Sequence, residues 1–517
     1  MEAAVIVKKV KSFCANVFVL PLLLTLACAG FAGDGLDWFL WIISFLSLGA
    51  AIFGIHVTLR NQSGWIRWIA ALVVCVGSLL RNRFVMVWHP PGAYIFSDMH
   101  GYWQVAQSWL AHVWEPAQSI KPAGYSLLLA ALIWIFPSCA DALAWTHHYF
   151  GVFCVIASWR ATAAILGEQR AIYALALLSF HFPLVAVSGF YMPDVIFAAI
   201  LAGTFYLLST HSFPWSKWIG LLTGFLCSIS MWFKGNNILY PGLLGAWVLW
   251  AGRDKGQTSL SLLGGTKFKK PLIFLAFLLA GALGPILAYG ALNHFKFHVP
   301  GFSSTNGGLS LIEGKCPAKH NWDSEGATWK SPLFVQIDEN EQKHWPRPFY
   351  DQAYFVSEGL RCIRENPTVM LSSFRYIYYL FYGNLSWPSN ITAFRDLNRE
   401  FEMFFTPFLL PGLLFALISL LLNPLQPLMS GGLMVASLFL NSWLLKSEFR
   451  YRVPFDVVIV PLIVAGWSSV GDRLFKTPRE RRLARFLGVG FVLLLAMFVT
   501  MRLTGIATTL FAYLIPK

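Results

Sequence analysis

Charge is what this chain lacks most. Only 12% of its 517 residues are Asp, Glu, Lys or Arg, about half of the roughly 25% usual in soluble domains. Acids are the scarcer sign, 25 against 39 Lys and Arg, which leaves a formal net charge of +14. With 56% hydrophobic residues and a mean hydropathy of +0.58, the chain carries more apolar surface than a soluble fold can hide. Soluble and disordered classes are both excluded. Cysteine is sparse too: there are eight, with no CxxC pair and no Cys/His metal spacing, so a zinc site is not indicated. Internal repeats and low-complexity segments are absent. No cleavable leader is convincing, because Lys8, Lys9 and Lys11 precede an apolar run long enough to span, and the small residues after it read as a loop.

Long apolar runs are abundant instead, among them Val19 to Phe31, Leu272 to Leu292 and Phe404 to Leu422. A hydrocarbon slab of roughly 30 Å needs about 20 such residues in a helix. The pattern predicts an all-α polytopic membrane protein with about thirteen spans. They fall near 14–33, 38–57, 66–87, 143–162, 171–189, 194–210, 217–233, 236–252, 271–292, 403–423, 426–445, 453–469 and 486–511. The basic excess follows from this rather than from nucleic acid, since Lys and Arg gather in short cytoplasmic loops. A cytoplasmic N-terminus puts Arg60, Arg67, Arg160, Arg170, Lys217, the basic residues of 253–270 and the cluster Arg473 to Arg485 inside. The opposite orientation would put those clusters outside and is rejected.

Two segments do not span, and parity places both on the outer side. The first, 88–142, holds a Pro-Pro turn, Ser97-Asp98, the amphipathic stretch Tyr102 to Trp114, Lys121-Pro122, and an apolar run from Tyr125 to Phe136 that is too short to cross. Such stretches lie along the interface. The second, 293–402, is polar and holds nearly half of the acids. Cys316 and Cys362 fall in it, either as a disulfide in an oxidising compartment or as two free thiols. Asn384-Leu385-Ser386 and Asn390-Ile391-Thr392 match the glycosylation pattern, a short match that arises readily by chance. The chain thus divides into N-terminal spans (1–87), the first outer loop (88–142), a central membrane module (143–292), an outer cap (293–402) and a C-terminal membrane module (403–517).

The informative charges lie outside the basic loops. Asp98, Lys121, Asp194, Lys234, Arg450 and Arg452 come from four distant regions, yet the topology brings all of them to one face. Ionisable groups at bilayer depth are expensive and face a cavity or a partner. Carboxylates there can take a proton from a hydroxyl, and cations can hold a departing phosphate. Each residue also has a plainer reading. Asp98 and Asp194 suit helix N-termini; Lys121 and Lys234 suit snorkelling anchors; Arg450, Tyr451 and Arg452 suit an interface belt. His100, His147, His148 and His181 read as packing or interface residues, with no metal-ligand spacing.

Five short strings favour the functional reading. Ser97-Asp98-Met99-His100-Gly101-Tyr102 resembles the Asp-bearing loop of the GT-C glycosyltransferases, membrane enzymes that use polyprenyl-phosphate sugars. The protein O-mannosyltransferases and bacterial lipid A aminoarabinose transferases are the nearest look-alikes. Ile120-Lys121-Pro122-Ala123-Gly124-Tyr125 is similar to their Lys-Pro segment, and Tyr191-Met192-Pro193-Asp194-Val195-Ile196-Phe197 to their second acidic site. Trp232-Phe233-Lys234-Gly235 resembles the Lys-Gly that ends a span at the same face, and Glu448-Phe449-Arg450-Tyr451-Arg452-Val453-Pro454 their late Arg/Tyr–Pro signature. Order, spacing and common side carry the resemblance, over about 85–455. His100 stands where a second acid often lies, so a divalent metal is not supported by a ligand set. No cofactor is firmly implied.

The resemblance implies a GT-C-like enzyme that moves a sugar from a polyprenyl-phosphate donor to a hydroxyl at the outer face of the membrane, with inversion. Asp98 would be the base, with Asp194 orienting its partners or the acceptor. Lys121, Lys234, Arg450, Tyr451 and Arg452 would hold the lipid phosphate, and His100, Tyr102 and Tyr125 would contact donor or acceptor. The implied partners are the lipid-linked sugar, an acceptor glycan, lipid or protein, and the membrane, with no nucleic acid. The rivals are a transporter or flippase of lipid-linked or anionic substrates, and a non-catalytic relative that binds lipid-linked sugar. Transporters carry charged sites near the midplane between related halves. Here the charges gather at one face and no repeat is visible.

Overall fold

The computed structural model of the chain describes residues 18–28, 38–93, 95, 98–136, 138–211, 216–251, 266–316, 347–382, 392–422, 427–474, 477, 499, 502 and 505. Lys8, Lys9, Lys11, Ser97, Arg253, Lys255, the glycosylation match at 384–386, both Asn390 and Ile391 of the other, and nearly all of the span expected at 486–511 lie outside the described residues. Every regular element among the described residues is helical. In chain order they are α1 (Leu20–Ala27), α2 (Trp38–Thr58), α3 (Gly64–Arg83), α4 (Asp98–Leu110), α5 (Ala123–Ile135), α6 (Cys139–Leu166) and α7 (Glu168–Ser179). There follow α8 (Phe182–Ala186), α9 (Asp194–Ser209), α10 (Lys217–Phe233), α11 (Tyr240–Ala251), α12 (Thr266–Leu292) and α13 (Asn306–Lys315). The remainder are α14 (Gln352–Glu365), α15 (Val369–Ser372), α16 (Arg375–Tyr382), α17 (Thr392–Leu422), α18 (Met429–Leu444), α19 (Phe449–Arg452) and α20 (Asp456–Leu474).

Large apolar side chains stand exposed along the outer helices, with Phe53 at 70%, Trp134 at 80% and Leu421 at 80%. Water would not tolerate them in such numbers; lipid does. The protein is a multi-pass membrane protein. Thirteen spans are not confirmed, however. Among the described residues, Gly64–Ala93, Cys139–Leu166, Lys270–Phe297, Asp396–Leu422 and Phe449–Leu474 are the five segments long and apolar enough to cross, or six if the pair Glu168–Ser179 and Phe182–Gly189, bent by 55°, counts as one. Other expected spans are shorter helices, such as α9 with 16 residues, α10 with 17 and α11 with 12. Apolar composition marks a helix as buried in lipid or protein without fixing its length, and a full crossing needs about 20 residues. Helices α4 and α5, expected to lie along the interface, have 13 residues each, short of a crossing.

Packing is tightest at the centre, where α20 is sheathed on nearly all sides and Val457, Val458, Ile459, Val460 and Leu462 are fully buried. Helix α6 packs on α9, and α10 packs on α12 through small residues. A Cβ on Gly224 would meet the Leu278 carbonyl at 1.9 Å, and one on Gly281 the Leu221 carbonyl at 1.9 Å. Backbones come this close in membranes only where a side chain is missing. In the polar segment α13 packs on α14, and Cys316 is joined to Cys362 in a disulfide, which decides between the two readings of these thiols.

Candidate active site

Charged side chains meet at one end of the bundle, and all of them sit at helix ends. Asp98 opens α4, and Asp194 opens α9 directly after Pro193. Both carboxylates therefore lie at the positive ends of helix dipoles. Lys121 occupies the extended turn before α5, and Lys234 the extended residue that stops α10. Arg450 lies in the single turn α19, at the head of the segment that continues into α20. Helix ends are where backbone polarity already breaks the apolar pattern, so an ionic site is built there at least cost.

The five residues form an alternating chain. Lys121 Nζ lies 3.1 Å from Asp98 Oδ1 and also donates to the Asp98 carbonyl at 2.8 Å. Arg450 bridges the two acids, Nη1 at 3.4 Å from Asp98 Oδ2 and Nη2 at 3.5 Å from Asp194 Oδ2. Lys234 closes the chain with Nζ 2.6 Å from Asp194 Oδ1. Each terminal lysine rests on an aromatic face, Lys121 over Tyr102 at 4.8 Å and Lys234 over Tyr451 at 5.0 Å, a contact that holds the ammonium without neutralising it. Gly101 makes room for Lys121, since a Cβ there would lie 2.6 Å from its Nζ. Three cations against two carboxylates leave the chain one positive charge in excess.

A cleft of about 320 Å³ opens onto this chain and is lined by Asp98, Tyr102, Lys121, Lys234, Arg450 and Tyr451. Asp194 is 1% exposed and lies behind it, whereas the Asp98 side chain is 35% exposed. Burial alone would raise the Asp98 carboxyl, but Lys121 and Arg450 beside it hold it below the ordinary carboxylate range. Asp98 is thus an ionised carboxylate facing an open space. Among the described residues, no three His, Cys, Asp or Glu side chains gather as metal ligands.

Three solved structures similar to this chain are of the oligosaccharyltransferase from Archaeoglobus fulgidus. The complex of AglB with an inhibitory peptide and a dolichol-phosphate is 14% identical, with a TM-score of 0.48, over 86% of this chain and 56% of that one. The complex with zinc and sulfate is 15% identical, with a TM-score of 0.45, over 84% and 52%. The apo form is 15% identical, with a TM-score of 0.45, over 85% and 55%. The chain matches little more than half of the length of each. No protein-family model matches the sequence, and no curated protein matches it.

Of the residues singled out in the sequence, Asp98, Asp194, Lys121, Lys234, Arg450, Tyr451 and Tyr102 are brought together. Arg452 is not. It points away from the cleft into the bundle, fully buried, where Nη2 and Nη1 donate to Glu402 Oε1 and Oε2 at 2.7 and 3.1 Å and Nη2 also donates to Asp456 Oδ2 at 3.3 Å. Successive residues of a helical turn face different ways, so Arg450 and Arg452 have separate partners. Tyr125 is also fully buried outside the cleft, its hydroxyl 3.2 Å from His147 Nε2 and its ring edge-on to Tyr102. His100 is exposed and does not line the cleft.

Sequence reasoning missed the far wall. Asn236, Ser303, Glu313, Lys446, Ser447 and Glu448 line the same cleft. Burial lifts the Glu448 carboxyl above its ordinary range, against the pull of Arg450, Lys446 and Lys234. Glu448 stood inside the late Arg/Tyr–Pro string without a role. Nothing in the sequence alone joined Glu313 to Lys446, 133 positions apart, although they form an ion pair.

Proposed function

We propose that the protein is an integral-membrane glycosyltransferase that moves a sugar from a polyprenyl-phosphate donor to an acceptor hydroxyl. One observation carries the reading: the chain Lys121–Asp98–Arg450–Asp194–Lys234, one positive charge in excess, borders a cleft at one end of an apolar bundle. The donor's phosphodiester has one negative charge and the lipid phosphate it leaves behind gains another, so stabilisation by a cationic site grows as the reaction proceeds. Lys121, Lys234 and Arg450 would exchange part of their contact with the carboxylates for the phosphate oxygens. That exchange frees Asp98 to accept the proton of the attacking hydroxyl. The new bond forms from the acceptor oxygen to the anomeric carbon, the bond from that carbon to the phosphate oxygen breaks, and the configuration inverts.

Asp194, being buried, is a positioning residue that holds Lys234 and Arg450 rather than one that touches substrate. Arg452 positions as well: by anchoring α19 to Glu402 and Asp456 it fixes the turn from which Arg450 reaches the cleft. The disulfide in the polar segment supports an oxidising, outer-side location for the cleft. The reading is tested with the purified protein in lipid bilayers and radiolabelled polyprenyl-phosphate sugars, scored by release of polyprenyl phosphate. Turnover of at least one donor is expected. Binding of these lipids without turnover, over a panel of acceptors, would instead indicate the non-catalytic relative.

A further inference from the structure

Three residues that line the cleft each carry a buried side-chain atom that lacks a hydrogen-bond partner: Glu313 Oε1, Ser447 Oγ and Asn236 Nδ2. Glu313 and Ser447 are each only 1% exposed. A buried polar atom left unpaired is costly, so three on residues of one cleft call for an occupant that pairs them. Their chemistry defines that occupant. A carboxylate oxygen accepts, an amide nitrogen donates, and a serine hydroxyl does either. Hydroxyl groups, each able to donate and accept, complement all three. A charged ligand group does not, because the charge of Glu313 is already matched by Lys446 through its other oxygen.

The wall is rigidly held. Helix α13 presses its backbone onto the chain before Lys446, and a Cβ on Gly314 would lie 2.0 Å from the Leu445 carbonyl. Only glycine permits that approach, which sets Glu313 beside Lys446. The disulfide at Cys316 ties the end of the same helix to α14.

We propose that Glu313, Ser447 and Asn236 form a hydroxyl-recognition subsite that holds the sugar ring carried by the lipid phosphate. The proposal rests on the lipid-phosphate reading above and adds a substrate class to it: a neutral, polyhydroxylated ring. The ring lies one glycosidic bond from a phosphate held by Lys121, Lys234 and Arg450, which border the same cleft.

The test measures equilibrium binding of two probes to the full-length protein in lipid nanodiscs: polyprenyl phosphate, and polyprenyl phosphate bearing glucose, mannose or galactose. In the wild type at least one hexose-bearing lipid is expected to bind about 10-fold tighter than the bare lipid, with a preference among the epimers. Ser447→Ala, Asn236→Ala and Glu313→Gln should each cut that ratio by about 5-fold, the equivalent of about 1 kcal/mol, with bare-lipid binding retained. Ser447→Ala safeguards the test, because it changes little volume and leaves the Glu313–Lys446 pair intact. A ratio unchanged in all three variants overturns the subsite. Variants that keep the ratio but raise KM for the acceptor show that the ring held is the acceptor's, which overturns the donor assignment. Failure of the wild type to bind even bare polyprenyl phosphate overturns the lipid-phosphate reading itself, and the subsite with it.

Discussion

At the scale of single residues, Lys121 and Lys234 separate a working cation from a snorkelling anchor. Both ammonium groups are paired to a carboxylate, lie over a ring and border the cleft. Changing either to Met should lower kcat/KM for the lipid donor by at least 10-fold, while the protein still inserts and folds. Arg at either site should lose less, since the charge survives. Near-wild-type kinetics for both Met variants would return these residues to the anchor role. The pH profile supplies a companion expectation. The kcat/KM profile reports the free enzyme, in which Lys121 and Arg450 keep Asp98 ionised below its ordinary value of 3.8. Lowering the pH from 8 to 6 should therefore cost nothing through Asp98, and a loss near neutrality that vanishes in Asp98→Asn would contradict that electrostatic picture.

At the scale of elements, helices were legible and their partners were not. The apolar run at 217–233 corresponds residue for residue to α10, and that at 194–210 to α9 up to Ser209, because polar or turn-forming residues bound both runs. That Asp98, Lys121, Asp194, Lys234 and Arg450 share one end of the bundle was also legible, each being an ionisable residue at the break of an apolar run. That Arg452 lies outside the cleft was not legible, because a motif gives its order along the chain but not the direction each residue takes around a helical turn. The wall at Glu313 was invisible because it depends on a long-range contact made by a polar segment with no periodic signal. That segment is braced by Cys316–Cys362, which closes a loop of 46 residues. Replacing both cysteines by Ser should destabilise it by about 2–5 kcal/mol, read as a lower melting temperature and faster proteolysis between α13 and α14. Bare polyprenyl phosphate should still bind, since its cations come from the bundle. An unchanged melting temperature would show that packing alone holds α13 against α14.

At the scale of the whole molecule, the arrangement separates a lipid-facing body from an ionic cleft at one end. The exposed apolar residues and the helix-end charges are two consequences of one rule, that unpaired polarity is excluded from hydrocarbon. The orientation is tested by cysteine-accessibility labelling in a background without free thiols. Position 303 should label from outside and positions 256 and 477 from inside. Labelling of 303 and 256 from the same side would break the common-face arrangement and the functional reading with it.

The most direct measurement compares turnover and donor binding in wild type, Asp98→Asn and Asp98→Glu. Asn keeps the size of Asp98 and most of its hydrogen bonding but takes no proton. Loss of a general base costs about 10²–10⁴-fold, so Asp98→Asn should fall at least that far, with lipid binding retained through Lys121, Lys234 and Arg450. Asp98→Glu should also be poor, because a displacement of about 1 Å costs roughly 10²-fold. If Asp98 serves only to cap α4, Asn replaces it without loss, since the two rank together at that position. Near-normal turnover by a normally expressed Asp98→Asn variant would contradict the catalytic assignment.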